Sequence, residues 1–482
     1  MAAPAIPNVT NTIADGGLGI VPSGAEDVTF LVGGSSAGTA GSFYSYAGSD
    51  TTTVSDDLGS GPLVNQAIKH LIRSKGKQVI CYKVAPSTAG STSAITQSGS
   101  GPAITVGSGT PYDQFDGRLV IVTGGARGTA TFQYSLDGGD TYSAVITTAA
   151  TVALASGVTL AFAVGTYVAD EAYSWTDTAP AMTSGDIGTA LDAIIASPYR
   201  GRRVHVLGQV TTAAGAHTIA TLLGTKVDAA HLVAKYLYCI FEAPALDKAG
   251  IITEFASFEH KFVLGCAGFA EIVEDATNRI QKRSSARCIV PRIARNPIAI
   301  HALRNEADST IDPLSDVSEL VPSGSSASTG YHDEDATPGL NAARFATLRT
   351  VTGQSGYYVT NTPLFSGLSS DFQQHMHAEI MLKAVETWHA FATVQLARRV
   401  RKNPSTGYIA TSFASAIERE GEETIKASLG DAIEGVRVLV NRADNLSSDP
   451  TLRAKIRIVI GSYVQTMESE IGFAPALSEA AA

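Results

Sequence analysis

Charged residues and the motifs of metal and nucleotide chemistry are what this sequence has least of. Asp, Glu, Lys and Arg make up only 17% of its 482 residues, and the formal net charge is −10. A nucleic-acid-binding protein carries a basic patch or stripe, so this balance argues against that class. Neither a GxxxxGK[ST] phosphate loop nor an HExxH zinc motif occurs. The low charge density is typical of a protein whose surface is largely covered by copies of itself.

Cysteine is also scarce, and no two cysteines form a CxxC pair. The four residues are Cys81, Cys239, Cys266 and Cys288. We interpret them as reduced, packed thiols of a protein made in the cytoplasm, rather than as zinc ligands or disulfides. The N-terminal sequence lacks the basic and apolar regions of a signal peptide, so none is predicted.

One long uncharged stretch, from Ala144 to Ala169, could be mistaken for a membrane span. Its apolar residues alternate with Thr and Gly and do not form the continuous Leu, Ile and Phe run of a transmembrane helix. Acidic turn residues flank it, with Asp140 before it and Asp170 after it. The pattern therefore predicts hairpin strands and no membrane insertion.

The sequence does have enough apolar residues, 44%, for a substantial core. Strand and helix patterns alternate from the start, with a buried strand at Asp27–Val32 and a helix from Leu63 to Ile72 that ends before Gly76. Such alternation predicts an α/β core. Between residues 87 and 180 only short strand patterns with Gly-rich turns occur, which predicts an inserted all-β domain of sandwich type.

Alternation resumes after the β domain. A helix is predicted from His217 to Tyr238, because its apolar residues recur at helical spacing. Pro291 and Pro297 lie in the next strongly apolar stretch, and proline disrupts a helix interior. We therefore expect a strand followed by a short helix there, and not one helix.

The stretch from Ala343 to Lys402 has the clearest pattern in the chain. Two strands joined by a turn at Gly353–Gly356 are predicted first. A long amphipathic helix over Gln373–Lys402 follows, with an N-cap from Ser369, Ser370 or Asp371. The basic residues at its end would complement the helix dipole, and Pro404 would stop it.

The last part of the chain predicts a helix over Thr411–Leu429, a strand at Gly435–Val440 and a final strand with one polar face. The two ends have too few apolar residues for a core of their own. We interpret residues 1–26 as an N-terminal arm and residues 469–482 as a C-terminal arm, each able to add a strand to another chain's sheet. The candidate strand-exchange residues are Gly19, Ile20, Val21, Ile471, Gly472 and Phe473.

One pattern suggests an enzyme. Gly34, Ser36 and Gly38 satisfy G-x-S-x-G after a strand, as in the nucleophile elbow of an α/β hydrolase. That elbow needs a helix starting at the serine and a later acid and histidine, and neither is evident here. A flexible Gly/Ser loop is the simpler interpretation, and the hydrolase is kept as an alternative.

Other polar clusters are interpreted as structural. His375, His377 and His389 lie on the predicted helix without a zinc-binding spacing, so solvated or interface positions are expected. Asp137 and Asp140 flank Gly-Gly, which indicates a tight hairpin turn and not a calcium loop. An acidic run is interpreted as a solvated helix face: Glu418, Glu420, Glu422 and Glu423.

The order of elements from Ala343 onward resembles the C-terminal half of sheath proteins from contractile phage tails and related injection machines. The Gly33-Gly34 strand end and the Gly61-Pro62-Leu63 helix start resemble the same family near the N-terminus. The resemblance implies a structural protein with no catalytic residue, cofactor or metal. It also implies partners: other copies in stacked hexameric rings, a tail tube protein, and baseplate and tail terminator proteins. No direct nucleic-acid contact is implied, and the location is a virion tail assembled in the host cytoplasm.

The sequence patterns and the resemblance together divide the chain into segments and indicate a contact site. The segments are the N-terminal arm (1–26), the first part of the core (27–86), the inserted β domain (87–180), the rest of the core (181–468) and the C-terminal arm (469–482). A basic cluster would contact an acidic tube or a neighbouring subunit, or would only complement the helix dipole: Arg398, Arg399, Arg401 and Lys402. The acidic run around Glu418 is the other candidate for that contact. A surface or carbohydrate-binding module that uses the β domain is a further alternative.

Overall fold

The computed structural model describes residues 24, 27–208, 212–243, 248–321, 333–367, 369–396, 398–445, 448 and 451–462. The chain divides into two compact units, Met1–Leu396 and Ala397–Ala482, which we call unit 1 and unit 2. Among the described helices, none is long and apolar enough to cross a membrane.

Unit 1 begins with strands and helices of an α/β core: β1 (Thr29–Gly33), β2 (Phe43–Tyr46), α1 (Thr52–Leu58), α2 (Pro62–Arg73) and β3 (Val79–Lys83). Proline at the first position of α2 suits a helix start, because its fixed φ is helical and its missing N–H has no partner there anyway. The helix ends before Gly76, whose φ of +81° allows its N–H to reach the Leu71 carbonyl at 2.7 Å.

The inserted β domain consists of short strands: β4 (Ser91–Thr92), β5 (Thr96–Ser98), β6 (Ile104–Ser108), β7 (Phe115–Thr123), β8 (Gly125–Ala126), β9 (Thr131–Ser135), β10 (Ile146–Thr147), β11 (Thr151–Ala153), β12 (Thr159–Phe162), β13 (Thr166–Tyr167) and β14 (Ala172–Thr178). An antiparallel sheet around β7 and β14 and a smaller one around β12 share one apolar cluster. Alternate residues of β7 and β14, among them Leu119, Tyr173 and Trp175, point into it.

The rest of unit 1 returns to alternating helices and strands: α3 (Ser184–Ala196), β15 (Arg203–Val206), α4 (Ala213–Leu232), β16 (Tyr238–Glu242), α5 (Lys248–Glu254), β17 (Val263–Cys266), β18 (Phe269–Val273), β19 (Ile280–Ser284), α6 (Ala286–Arg295), β20 (Val317–Val321), β21 (Phe345–Ala346), β22 (Leu348–Val351), β23 (Gln354–Val359) and α7 (His375–Gln395). The predicted helix His217–Tyr238 is thus wrong at its end, because α4 stops at Leu232 and Tyr238 begins β16.

The core sheet of unit 1 has the order β2-β3-β1-β15-β16-β17-β21. All its strands are parallel except β2. Phe30 and Val32 belong to the cluster that includes α3 and α4 residues, whereas Leu31 joins a cluster with α1 and α2. Helices therefore cover both faces, and the expected α/β core with an inserted β domain is confirmed.

The segment with two prolines contradicts the sequence-based expectation. Residues 286–295 form a single helix, α6, with Pro291 inside it. Proline leaves the carbonyl four residues earlier, that of Arg287, without its helical donor. The Gln66 side chain of α2 donates a hydrogen bond to that carbonyl at 3.3 Å. The helix survives the proline because a neighbouring helix supplies the missing donor.

Helix α7 is shorter at both ends than predicted. It begins at His375 after Gln374, so Ser369, Ser370 and Asp371 do not cap it. It ends at Gln395, because Leu396 has an extended backbone with ψ of 144°. The hairpin before it is confirmed, with β22 and β23 paired antiparallel.

Unit 2 has a simple α/β arrangement: α8 (Thr411–Leu429), β24 (Gly435–Val440) and β25 (Ala454–Val459). The strands pair antiparallel, and α8 packs against β24. Apolar residues of α8, including Ile417 and Ile425, are buried with Val438 and Val440 of β24. The helix and the two strands lie where the sequence pattern predicts them.

Candidate functional site

The basic cluster lies beyond helix α7 and not on it. Arg398, Arg399, Arg401 and Lys402 belong to unit 2, and all four are exposed. The idea that they complement the dipole at the end of a continuous helix is therefore wrong, because α7 stops at Gln395. Instead, Arg398 lies 3.8 Å from the Glu420 carboxylate, and its guanidinium stands 5.4 Å from the centre of the Phe413 ring.

The acidic run on α8 is more than a solvated helix face. A carboxylate oxygen of Glu422 accepts the Val438 N–H at 2.9 Å, and one of Glu418 accepts the Val440 N–H at 2.8 Å. Arg442 holds the second oxygen of Glu418 at 2.7 Å. Glu423, by contrast, lies on the exposed side of α8, 3.9 Å from Arg419. Two glutamates of the run therefore bind the backbone of β24.

These contacts leave the small sheet of unit 2 with two different edges. The outer edge of β24 is covered by glutamate side chains, whereas among the described residues no strand pairs with the outer edge of β25. On β25, the half-buried Ile456 and Ile458 alternate with the exposed Lys455 and Arg457. An open strand edge with one apolar and one basic face can accept another strand.

The candidate strand-exchange residues lie outside the described residues. This holds for Gly19, Ile20 and Val21 of the N-terminal arm and for Ile471, Gly472 and Phe473 of the C-terminal arm.

Buried ion pairs in unit 1 are functional candidates that sequence reasoning missed. Glu379 of α7 accepts two hydrogen bonds from Arg203 of β15, at 2.7 and 3.1 Å, and one from the Tyr238 hydroxyl of β16 at 2.8 Å. Burial alone would lower the pKa of Arg203, but the Glu379 carboxylate raises it. The sequence patterns did not indicate this pair, because Arg203 and Glu379 lie 176 residues apart in the chain. The contacts fix α7 to the sheet.

A second buried pair lies at the carboxyl end of the sheet. Glu242 of β16 contacts the Arg287 guanidinium of α6 at 2.6 Å and the His205 ring at 3.3 Å. Burial alone would raise the pKa of Glu242, but Arg287 and His205 lower it to about 2. Asp113 similarly joins Arg283 at 2.8 Å and Asn65 at 3.0 Å, which ties the inserted β domain to the core. Unit 1 is thus held together by charge pairs as well as by apolar packing.

The hydrolase pattern does not have the geometry of a nucleophile elbow. Ser36 lies in a bend, and α1 begins only at Thr52. The Ser36 hydroxyl accepts the Ser60 N–H at 2.9 Å, so it closes the loop. Gly59 packs directly on this hydroxyl, since a Cβ there would lie 2.5 Å from it.

The polar clusters considered for metals have structural contacts. His375 is buried, and its Nδ1 is hydrogen-bonded to the Thr362 hydroxyl. His389 is exposed, 3.3 Å from the Tyr236 hydroxyl. The Asp137 carboxylate accepts hydrogen bonds from Ser135 and Thr141 within its turn. In the part of the chain that the structure describes, no group of three His, Cys, Asp or Glu side chains could hold a metal ion.

The four cysteines are buried and free. Burial raises the pKa of the Cys81, Cys239 and Cys266 thiols, which keeps them protonated and unreactive at neutral pH.

Comparisons with known proteins identify a family and a fold. Residues 6–363 match the model of the family described as DUF2586, N-terminal domain. No curated protein matches the chain. A chain of the anti-feeding prophage baseplate in contracted state is 10% identical, with coverage of 98% of each chain and a TM-score of 0.55. A chain of the contracted sheath complex of PVC, an extracellular contractile injection system, is 9% identical, with 99% of each chain covered and a TM-score of 0.52.

A sheath tail protein from Desulfitobacterium hafniense is 13% identical and has a TM-score of 0.46, with 94% of this chain and 100% of that one covered. The anti-feeding prophage baseplate chain and the PVC sheath chain, both with TM-scores above 0.5, show that this chain shares their fold over nearly its whole length.

Proposed function

The chain belongs to the DUF2586 family, and we propose that it is the subunit of a contractile sheath, which polymerises around a tube and shortens to drive the tube through a cell envelope. The observation that carries the proposal is the length of the structural likeness. It covers 98% or more of both chains in two contractile-system structures, at TM-scores of 0.52 and 0.55. A shared module on an otherwise different protein would match over only part of the chain.

The interior of unit 1 supports movement of this unit as a rigid body. Buried ion pairs fix α7 to β15 and β16, and the Asp113–Arg283 pair fixes the β domain to β19. Breaking such a pair inside the protein is costly, so unit 1 would keep its internal structure while neighbouring copies rotate past each other. Contraction then needs no nucleotide, metal or bond cleavage.

Strand exchange would connect the copies. The open edge of β25 is an acceptor, and the N-terminal and C-terminal arms, with Gly19–Val21 and Ile471–Phe473, are the donors. Backbone hydrogen bonds of an added strand would move together with the sheet that accepts it, so they would persist while the subunits rotate. The assembly we propose is a stack of six-membered rings.

The other partners are proposed from the surface of unit 2. The exposed cluster Arg398, Arg399, Arg401 and Lys402 would contact an acidic tube protein by weak electrostatic bonds that can break and re-form. Baseplate and tail terminator proteins would bind the two ends of the stack, and the assembled structure would form part of a tail.

Electron microscopy of the purified full-length protein tests the proposal. We expect tubes or stacked rings with a central channel, growing with protein concentration. The same images of a variant that lacks residues 87–180 should still show polymers, because we propose that the β domain is peripheral to assembly, and Arg283, which loses Asp113, keeps its contact with Glu274 at 2.8 Å. Compact monomers at every concentration, with light scattering that never rises, would rule out the sheath.

A further inference from the structure

The two edges of the unit 2 sheet differ in a way that the general sheath proposal does not require. Val438 and Val440 are two residues apart on β24, so their N–H groups point to the same edge. That edge faces away from β25, and the carboxylates of Glu422 and Glu418 accept both N–H groups, at 2.9 and 2.8 Å. Glu418 and Glu422 are four residues apart and share one face of α8.

We propose that Glu418 and Glu422 close the outer edge of β24 against strand addition and so direct strand exchange to β25 alone. The inference rests on the proposed function, because it concerns strands delivered by other copies of this chain. An incoming strand could bond β24 only after displacing two hydrogen bonds to ionised carboxylates, which are stronger than neutral ones. The displaced carboxylates would then face the carbonyl groups of the new strand.

Arg442 makes the closed edge more rigid. It binds the second oxygen of Glu418 at 2.7 Å, so this carboxylate is held from two sides. The other two glutamates of the run serve neighbours elsewhere, since Glu420 lies near Arg398 and Glu423 near Arg419. Of the four glutamates of this run on α8, therefore, Glu418 and Glu422 cover the outer edge of β24.

The open edge of β25 fits one segment of a second copy in particular. Residues 467–473 read M-E-S-E-I-G-F, so Glu468 and Glu470 share one face of an extended strand and Ile471 and Phe473 share the other. On β25 the exposed Lys455 and Arg457 alternate with the isoleucines. A strand of 467–473 thus matches acid to base on one face and apolar to apolar on the other. Residues 15–21 of the N-terminal arm offer a single acidic residue and three glycines.

Cross-linking between two tagged populations tests which edge is used. One population carries the acceptor cysteine, either Arg457→Cys on β25 or Leu439→Cys on β24, both at exposed positions. The other, with a mass tag, carries Glu470→Cys. The four native cysteines are buried and stay out of the reaction with a short bis-maleimide. In assembled mixtures we expect roughly tenfold more mixed dimer from Arg457→Cys than from Leu439→Cys.

The closed edge is then opened by mutation. In a Glu418→Ala, Glu422→Ala background, the Leu439→Cys product should rise roughly fivefold, because the β24 N–H groups become available. The matched control is Glu420→Ala with Glu423→Ala, which removes the same charge from the same helix and should leave that product unchanged. Circular dichroism checks that each variant folds. If the first pair does not fold, Glu422→Ala alone keeps the Glu418–Arg442 contact and should give a smaller rise.

Each outcome decides the matter. Two results would overturn the inference but not the proposed sheath. One is an equal yield of mixed dimer from Arg457→Cys and Leu439→Cys when both glutamates are intact. The other is an unchanged yield from Leu439→Cys after Glu418→Ala and Glu422→Ala. Polymers without any mixed dimer also overturn it, because the donor would not be residues 467–473 of a second copy. A chain that carries both Arg457→Cys and Glu470→Cys and cross-links only within itself, independent of dilution, would show that the segment folds back on its own β25, which also overturns the inference. Failure of the chain to polymerise at all is instead a failure of the proposed function.

Discussion

At the scale of single residues, buried ion pairs connect separate elements of unit 1. Lys69 of α2 is fully buried, and its Nζ lies 2.9 Å from Asp316 and 3.1 Å from Asp275. Burial alone would raise the pKa of Asp316, but Lys69 lowers it. Arg203 and Glu379 form a comparable pair, each side chain about 1% exposed. Such pairs add little net stability when intact, but removing one partner leaves a buried charge uncompensated.

Glu379→Ala should therefore destabilise the protein strongly. Arg203 would keep its charge in the core, which costs about 3–5 kcal/mol. The change is measured as a shift in the urea unfolding curve of unit 1. The control is Asp192→Ala, which removes a carboxylate 62% exposed from its contact with Lys226. That loss should cost less than about 1 kcal/mol. Similar shifts for both variants would contradict the assigned role of Glu379.

Buried histidines predict a loss of stability in mild acid. His70 of α2 is fully buried, and burial, with Arg203 and His205 nearby, lowers its pKa to about 3. The unfolded chain binds a proton near pH 6.5, whereas the folded chain does not, so stability is complete above that pH and falls as pH decreases toward 3. The loss approaches about 1.4 kcal/mol per pH unit for each such histidine.

Urea titrations at about pH 7 and about pH 5 measure this loss. His70→Gln should reduce the difference between the two curves, because glutamine binds no proton in either state. An unchanged difference would show that other groups, such as the buried His205 or His375, account for the acid sensitivity.

At the scale of elements, α6 shows how a neighbour can override a local rule. Pro291 removes the hydrogen bond to the Arg287 carbonyl, and Gln66 of α2 replaces it at 3.3 Å. From the sequence, proline is expected to disrupt a helix, but the sequence does not show which neighbouring side chain replaces the lost hydrogen bond. The helix could be recognised only once α2 and α6 were seen to pack against each other.

A double-mutant cycle tests this replacement. Gln66→Leu fills the same space but leaves the Arg287 carbonyl without a donor, which should cost about 1–3 kcal/mol. In a Pro291→Ala background the backbone N–H of residue 291 supplies the donor, so the same change should cost clearly less. Equal costs in both backgrounds, measured by urea unfolding, would mean that the contact does not matter to the helix.

Other elements show where sequence patterns succeed. The spacing of apolar residues predicted α2, α8 and β25 well. Each of these elements has one apolar face and one polar face, which gives a clear periodic pattern in the sequence. The end of α7 was missed, because Arg398–Lys402 continue a helical pattern although Leu396 is already extended. Contacts such as that of Glu422 with the Val438 N–H could not be predicted either. Hydrophobic periodicity shows which face of a helix a side chain lies on, but it does not show which backbone group that side chain contacts.

At the scale of the whole molecule, the two kinds of proposed interface have opposite electrostatics. Each copy carries a formal net charge of −10, so copies repel one another as they associate. The basic cluster Arg398, Arg399, Arg401 and Lys402 is proposed instead to attract an acidic tube. A few exposed cross-strand pairs at β25 contribute too little to reverse the repulsion between copies.

Salt should therefore act in opposite directions on the two interfaces. Raising ionic strength from about 0.01 M to about 0.1 M shortens the Debye length from about 30 Å to about 10 Å. Polymerisation of the isolated chain, followed by light scattering, should become faster, whereas binding to the tube protein, followed by co-sedimentation, should weaken. Arg399→Glu with Arg401→Glu should abolish the salt response of tube binding and leave salt-promoted polymerisation in place. If tube binding strengthens with salt, or the double variant binds the tube as before, the basic cluster is not the tube contact.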